Sequence, residues 1–113
     1  MTRAGEAQRF FIEGVERQQR GDLLAAAARF RDAIRCVPGL AEAHASLGAT
    51  LLALGEAKGA AQSLETAVAL KRVQPGAWLA LGLARGVLGD PRARASLRSA
   101  LSLDPGQAAA HRA

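Results

Sequence analysis

Apolar residues recur along this chain at intervals of three, four and seven, the signature of one buried stripe on each of a series of helices. Leu47, Leu51 and Leu54 follow that spacing, as do Trp78, Leu81 and Leu88. After a short break, Ala60, Leu64, Ala67 and Val68 define the face of another helix. The breaks themselves are regular. Gly21, Gly55 and Gly89 stand 34 residues apart, and each is followed by an acid, Asp22, Glu56 and Asp90. Glycine can take the left-handed conformation that ends a helix, and an acid can cap the free N–H groups that open the next. Asp90-Pro91 is the clearest instance, with proline expected in the first turn.

The same period runs through the helices. Gly14, Gly48 and Gly82 are 34 apart, and Phe10, His44 and Trp78 keep that interval. The third unit is one residue shorter after Asp90, so Ala26, Ala60 and Ala93 align, as do Phe30, Leu64 and Leu97, then Ala33, Ala67 and Ala100, then Ile34, Val68 and Leu101. Pro38 and Pro105 close the first and third units and are 67 residues apart, which the single deletion explains. The chain therefore predicts three helical hairpins. Their small columns let two antiparallel helices approach, and the large residues fill the space between them. One hairpin cannot bury its apolar face alone, so stacking must supply the core.

At these residues the sequence resembles the tetratricopeptide repeat family, whose 34-residue unit reads W-x2-L-G-x2-Y, then A-x3-F, then P. Trp78-Leu79-Ala80-Leu81-Gly82 fits the first motif, Ala26 to Phe30 the second, and Pro38 and Pro105 the closing proline. The resemblance spans about residues 7 to 107 and implies an all-α fold, an α-solenoid of three antiparallel helix-turn-helix repeats forming a right-handed superhelix. It divides one domain, 1–113, into repeats at about 7–40, 41–74 and 75–107 with a stub at 108–113. Departures are Glu13 in place of Leu, Arg17 and Arg85 in place of the aromatic, Arg72 in place of the middle proline, and His44 in place of Trp.

The resemblance also implies where a partner sits, because the first helix of each pair lines the concave surface. Carried over residue by residue, that face holds Gln8, Phe11, Val15, Gln18 and Gln19, then Glu42, Ala45, Ala49, Leu52 and Ala53, then Gly76, Leu79, Leu83, Gly86 and Val87. It is mostly apolar, and a contiguous exposed apolar patch marks an interaction site. The partner-binding set is Phe11, Val15, Gln18, Ala45, Ala49, Leu52, Leu79, Leu83 and Val87, for an apolar helix or strand of a protein. The competing reading has Phe11, Leu79 and Leu83 packing between neighbouring repeats. Family members that grip acidic chaperone tails use Lys, Asn and Arg as a carboxylate clamp. The matching positions here are Phe11, Val15, Ser46, Gly76 and Ala80, and the chain has no Asn at all, so neither the clamp nor an asparagine ladder is expected.

Composition narrows the remaining classes. The 113 residues are 50% hydrophobic and 4% aromatic, with 12 Gly and no Tyr, so the interior must be built from small side chains. A single Cys excludes an intrachain disulfide, and Cys36 reads as a buried, inert thiol. Charges at Arg3, Glu6, Arg9, Glu13 and Glu16 interrupt any secretory leader, and Arg85 breaks the most apolar run, Ala77 to Leu88; a cytoplasmic protein with no membrane span is expected. The net charge of +5 permits nucleic acid without requiring it, and the aromatics sit at core spacing, so no nucleic-acid partner is expected. Arg85, Arg92, Arg94 and Arg98 around the third unit, with Arg29, Arg31 and Arg35 on the second helix of the first, are assigned to a solvated convex face, softened by Asp32 and Glu65.

No nucleophile with its base, paired carboxylates or metal-ligand cluster is visible, which predicts a non-enzyme without cofactor or metal. His44 falls in the aromatic column and His111 in the closing stub. That stub can form at most about two turns of helix and would leave a ridge of Leu97, Leu101 and Leu103 exposed. A homodimer through the C-terminal repeat, a foreign partner, or a longer chain would cover it. The function that results is a protein-interaction scaffold of adapter or chaperone type. The alternatives are a self-associating structural module, or the N-terminal domain of a larger enzyme such as a transferase.

Overall fold

The computed structural model describes residues 2–103; Pro105, His111 and the stub 108–113 lie outside the described residues. Six helices follow one another: α1 Arg3–Gln19, α2 Leu23–Cys36, α3 Ala41–Ala53, α4 Ala57–Leu70, α5 Pro75–Val87 and α6 Ala93–Leu103. Among the described residues there is no strand. Helices pair as α1·α2, α3·α4 and α5·α6, and each hairpin leans on the next through α2·α3, α4·α5 and α3·α5. The stack measures 48 × 26 × 25 Å, the shape of a short solenoid.

Within each pair the spacing is set by glycine beneath one large side chain. A Cβ placed on Gly14 would lie 2.5 Å from the Phe30 ring, one on Gly82 would lie 2.7 Å from Leu97, and one on Gly48 would overlap Leu64 in the same way. Phe30 and Leu64 are fully buried on that seat, among Ala26, Ala60 and Ala61. Leu97 is half-buried there, so it belongs to the inside of the third hairpin rather than to an outer ridge with Leu101 and Leu103.

The turns confirm the glycine expectation and correct the one about acids. Gly21, Gly55 and Gly89 have φ of 82°, 85° and 72°, a region that residues with a Cβ avoid. In each turn the glycine N–H donates to the carbonyl three residues back, and the following acid's N–H donates to the carbonyl five back, as in Asp22 to Arg17 at 2.9 Å. Asp22 and Glu56 make no side-chain cap bond; the Asp22 carboxylate pairs with Arg17 at 3.6 Å instead. Their carbonyls open the next helix, accepting from Ala26 and Ala60. Asp90 alone caps through its side chain, accepting from the Arg92 N–H at 2.9 Å, and Pro91 sits in the turn before α6 rather than inside it. Bonds from the Arg92 side chain and backbone hold the Asp90 carboxyl down at about 2. Where Arg72 replaces the middle proline, Gln74 ends α4, its Nε2 donating to the Ala67 and Lys71 carbonyls at 2.8 Å each.

Two predictions test this frame. Gly48→Ala should cost about 1–3 kcal/mol by overpacking Leu64, a fall in Tm of roughly 4 °C or more, whereas Gly76→Ala, with nothing within 4 Å, should leave Tm equal or raised. Asp90, being depressed, should contribute stability that is complete above the ordinary carboxylate range and is lost as pH falls towards about 2; NMR titration of Arg92→Ala should show its midpoint moving up towards 3.8.

Candidate functional site

The first helix of each hairpin, α1, α3 and α5, has two stripes that its neighbours treat differently. On α3 the stripe Ala43, Leu47 and Thr50 is buried against the preceding hairpin, and on α5 the stripe Ala77, Leu81 and Ala84 is buried in the same way. The matching residues of α1 are Arg9, Glu13 and Glu16. No hairpin precedes them among the described residues, and Arg9 and Glu16 are exposed. Glu13, an outlier when the sequence is read column by column, is half-buried beside Ala25, Ala28 and Arg29 of α2, on a stripe that no described hairpin covers.

The second stripe carries the candidate site. Phe11, Val15, Ala45 and Leu52 are half-buried and pack against the core, the Phe11 ring lying 5.7 Å from that of Phe30. Gln18 and Ala49 are half-buried as well, while Gln8, Gln19, Glu42, Ala53, Gly76 and Gly86 are exposed. On α5 exposure climbs along the helix: Leu79 is 39% exposed, Leu83 51% and Val87 72%. The gradient has a simple cause. A following first helix leans on this stripe of α1 and α3, and none among the described residues leans on α5.

The nine site residues thus share one continuous stripe but differ in nature. Those on α1 and α3 are partly core, and those on α5 are free apolar surface. Leu88 extends the free patch. Spacing placed it in the helix face, but α5 ends at Val87 and Leu88 is its cap residue, 48% exposed. With Val87 it lines a depression against Leu51 and the α3–α4 turn at Gly55 to Gly59. Ile12, 47% exposed on α1, is a further apolar residue that the column reading passed over; only its own exposure reveals it.

The face is nearly uncharged. Glu42 is its one ionised residue, and Lys71 pairs with it at 3.4 Å. Beside this face, Arg31, Glu56 and Lys58 share the depression with Val87 and Leu88, and the other arginines lie elsewhere. Arg85, expected on a solvated convex face, is instead drawn inward from α5, its side chain 11% exposed, with Nη1 donating to Ser96 at 2.6 Å and Nη2 lying 3.8 Å from Glu65. It stands in the column of Leu51, which is buried, so its stem follows the apolar path and its head finds the buried Ser96 hydroxyl. Arg92 pairs with Asp90, and Arg29 and Arg35 pair with Asp32, while Arg94 and Arg98 are exposed on α6. Cys36 is half-buried, its Sγ 4.0 Å from Glu6 Oε2. No helix of the described residues is long and apolar enough to cross a membrane.

Paired helices, a glycine-seated core and an uncovered stripe on the first helices describe a tetratricopeptide array, and solved structures agree. The first tetratricopeptide domain of Spaghetti (RPAP3), bound to the HSP90 peptide SRMEEVD, superposes with a TM-score of 0.87 at 20% identity over 90% of this chain and 82% of that one. The chain has the tetratricopeptide-repeat fold. The Arabidopsis OM64 tetratricopeptide domain matches at 0.88 and 23% identity, covering 92% of this chain and 87% of its own. The Sgt2 domain from Aspergillus fumigatus matches at 0.81 and 23%, covering 87% and 66%. No family model matches the sequence, and no curated protein does.

The split between core and surface residues on this tetratricopeptide stripe is measurable. Phe11→Ala should cost about 2 kcal/mol, less than a fully buried Phe, whereas Leu83→Ala should stay within about 0.5 kcal/mol of the parent in urea unfolding.

Proposed function

We propose that the chain is a protein-interaction scaffold that holds an apolar helix or strand of a partner along α1, α3 and α5. The observation that carries this reading is the row Leu79, Leu83 and Val87, rising to 72% exposed on one stripe of α5. Exposed side chains at i, i+4 and i+8 form a continuous apolar strip, and covering it releases the hydration free energy that the isolated chain leaves unrealised. Ala45, Ala49 and Ala53 keep the middle of the stripe shallow enough for a guest backbone to approach. The fold supports the reading, since a solved structure of the same fold holds a peptide.

That peptide, SRMEEVD, carries three acidic residues. The positions that would meet such charges here, Phe11, Val15, Ser46, Gly76 and Ala80, offer no cation, so selection falls to apolar surface and shape. Binding requires none of the groups that catalysis would, which is the sense in which the chain reads as a non-enzyme. Self-association through the C-terminal repeat is the second reading, favoured by the exposed apolar residues on α5; sedimentation as a strict monomer at micromolar concentration would count against it.

Peptides selected from a random display library on the purified chain should be apolar, and SRMEEVD should show no saturable binding. Leu79→Glu with Leu83→Glu should weaken the selected peptides about a hundredfold or more while circular dichroism stays helical. Undiminished capture by that double variant would sink the assignment.

A further inference from the structure

The first two hairpins enclose a cleft that the partner strip does not use. Helices α2 and α4 both pack against α3 and do not touch one another, so α3 floors a groove between them. The groove has a volume of about 470 Å³. Its floor residues, His44 and Leu47, lie about a third of a turn around α3 from Ala45, Ala49 and Leu52 of the strip. The walls differ in charge. From α2 come the half-buried Ile34 and, one helical turn apart, the exposed Arg31 and Arg35; from α4 come Gln62 and Ser63, neutral groups that donate or accept. Three guanidiniums on this stretch of α2 stand beside one carboxylate, for Asp32 pairs with Arg29 at 3.2 Å and also with Arg35. The repeat supplies its own comparison. Thirty-four residues on, in the cleft lined by α4 and α5, Glu65 stands in the place of Arg31 and Arg85 in the place of Leu51. Those two lie 3.8 Å apart, so the position is neutralised within the fold. In the first cleft Arg31 borders Leu51 and, past it, the turn where Glu56 and Lys58 offset each other. Its charge is in surplus above an apolar floor.

We propose that this cleft is a second docking face and that its occupant is an acidic amphipathic helix of another protein. The guest's apolar stripe covers Ile34 and Leu47, and carboxylates one turn apart along its edge meet Arg31 and Arg35, whose own spacing is one turn. A groove walled and floored by helices has its backbone groups already bonded and offers none to a strand, whereas a helical guest arrives with its backbone bonds made. The neutral wall of α4 leaves the guest's other edge free of charge selection, so the guest is acidic on the side that faces α2. The net charge of +5 favours its approach. The cleft and the partner strip share no residue, so this inference does not rest on the strip.

The test uses the full 113-residue chain. A display library of helical peptides, selected on the variant carrying Leu79→Glu and Leu83→Glu, excludes guests of the strip. The peptides it yields should carry Asp or Glu three or four residues apart, beside Leu or Ile, and should bind the parent chain as well as they bind that variant. Arg31→Glu should weaken them about tenfold or more, and Arg94→Glu, the same change of charge on exposed α6, should stay within about twofold. Both arginines are exposed, so circular dichroism and Tm should hold in each variant. On the parent chain the bound peptide should shift the NMR signals of Ile34, Gln62 and Ser63 and leave those of Leu79 and Leu83 unmoved. Failure of the library to enrich acidic helices, or equal weakening by the two arginine variants, would overturn the proposal. Capture on the strip is read with other peptides, so the two assignments can fail independently.

Discussion

The distance between paired helices, set by a glycine beneath one large side chain, is the constraint on which the rest of this structure depends. Gly14 under Phe30, Gly48 under Leu64 and Gly82 under Leu97 bring each hairpin to the same close approach. Nothing larger than hydrogen fits at the three glycines, and nothing much smaller than Leu would fill the opposite wall. Because the three seats repeat, the hairpins repeat, and the first helices fall into one row. A core with few aromatics can be built this way: alanine columns replace bulk by proximity, so buried area comes from backbones that lie close together.

Stacking gives the array direction. Each first helix turns one stripe back towards the preceding hairpin and another forward, and the residues on these stripes differ at the two ends. The backward stripe of α1 is charged, with Arg9, Glu13 and Glu16 where α3 and α5 bury Ala, Leu and Thr. The forward stripe of α5 is apolar, with Leu79, Leu83 and Val87 uncovered. A charged stripe is stable in water as it stands, and an apolar one is stabilised by whatever covers it. Among the described residues, the stripe that would gain free energy by being covered is thus the one on α5.

Much of this was legible in the sequence, because the glycine period of 34 is an arithmetic property of the chain. Helix pairing, the positive-φ turns and the buried columns followed from it. Three features did not. Asp22 and Glu56 looked like side-chain caps, yet in these turns it is their backbone N–H that closes the bond to the preceding helix, a role any residue but proline can fill. Arg85 looked solvated, and only the position of Ser96, brought alongside it by the α5–α6 hairpin, shows why a guanidinium goes inward. Phe11 and Leu79 occupy the same column and looked equivalent. Their difference comes from what stacks beside them, which a column cannot display.

A nearly uncharged stripe on a protein of net charge +5 separates two tasks that charge often performs together. The arginines on α2 and α6 give the molecule a positive field that reaches about 8–10 Å at physiological ionic strength and accelerates encounter with acidic partners. The stripe itself carries little charge, so on the proposed reading a seated guest would be held by apolar contact and shape more than by the field. The relief of this face follows from its residues: Ala45, Ala49 and Ala53 form a shallow middle, flanked by Phe11 and Val15 on one side and by Leu79, Leu83 and Val87 on the other.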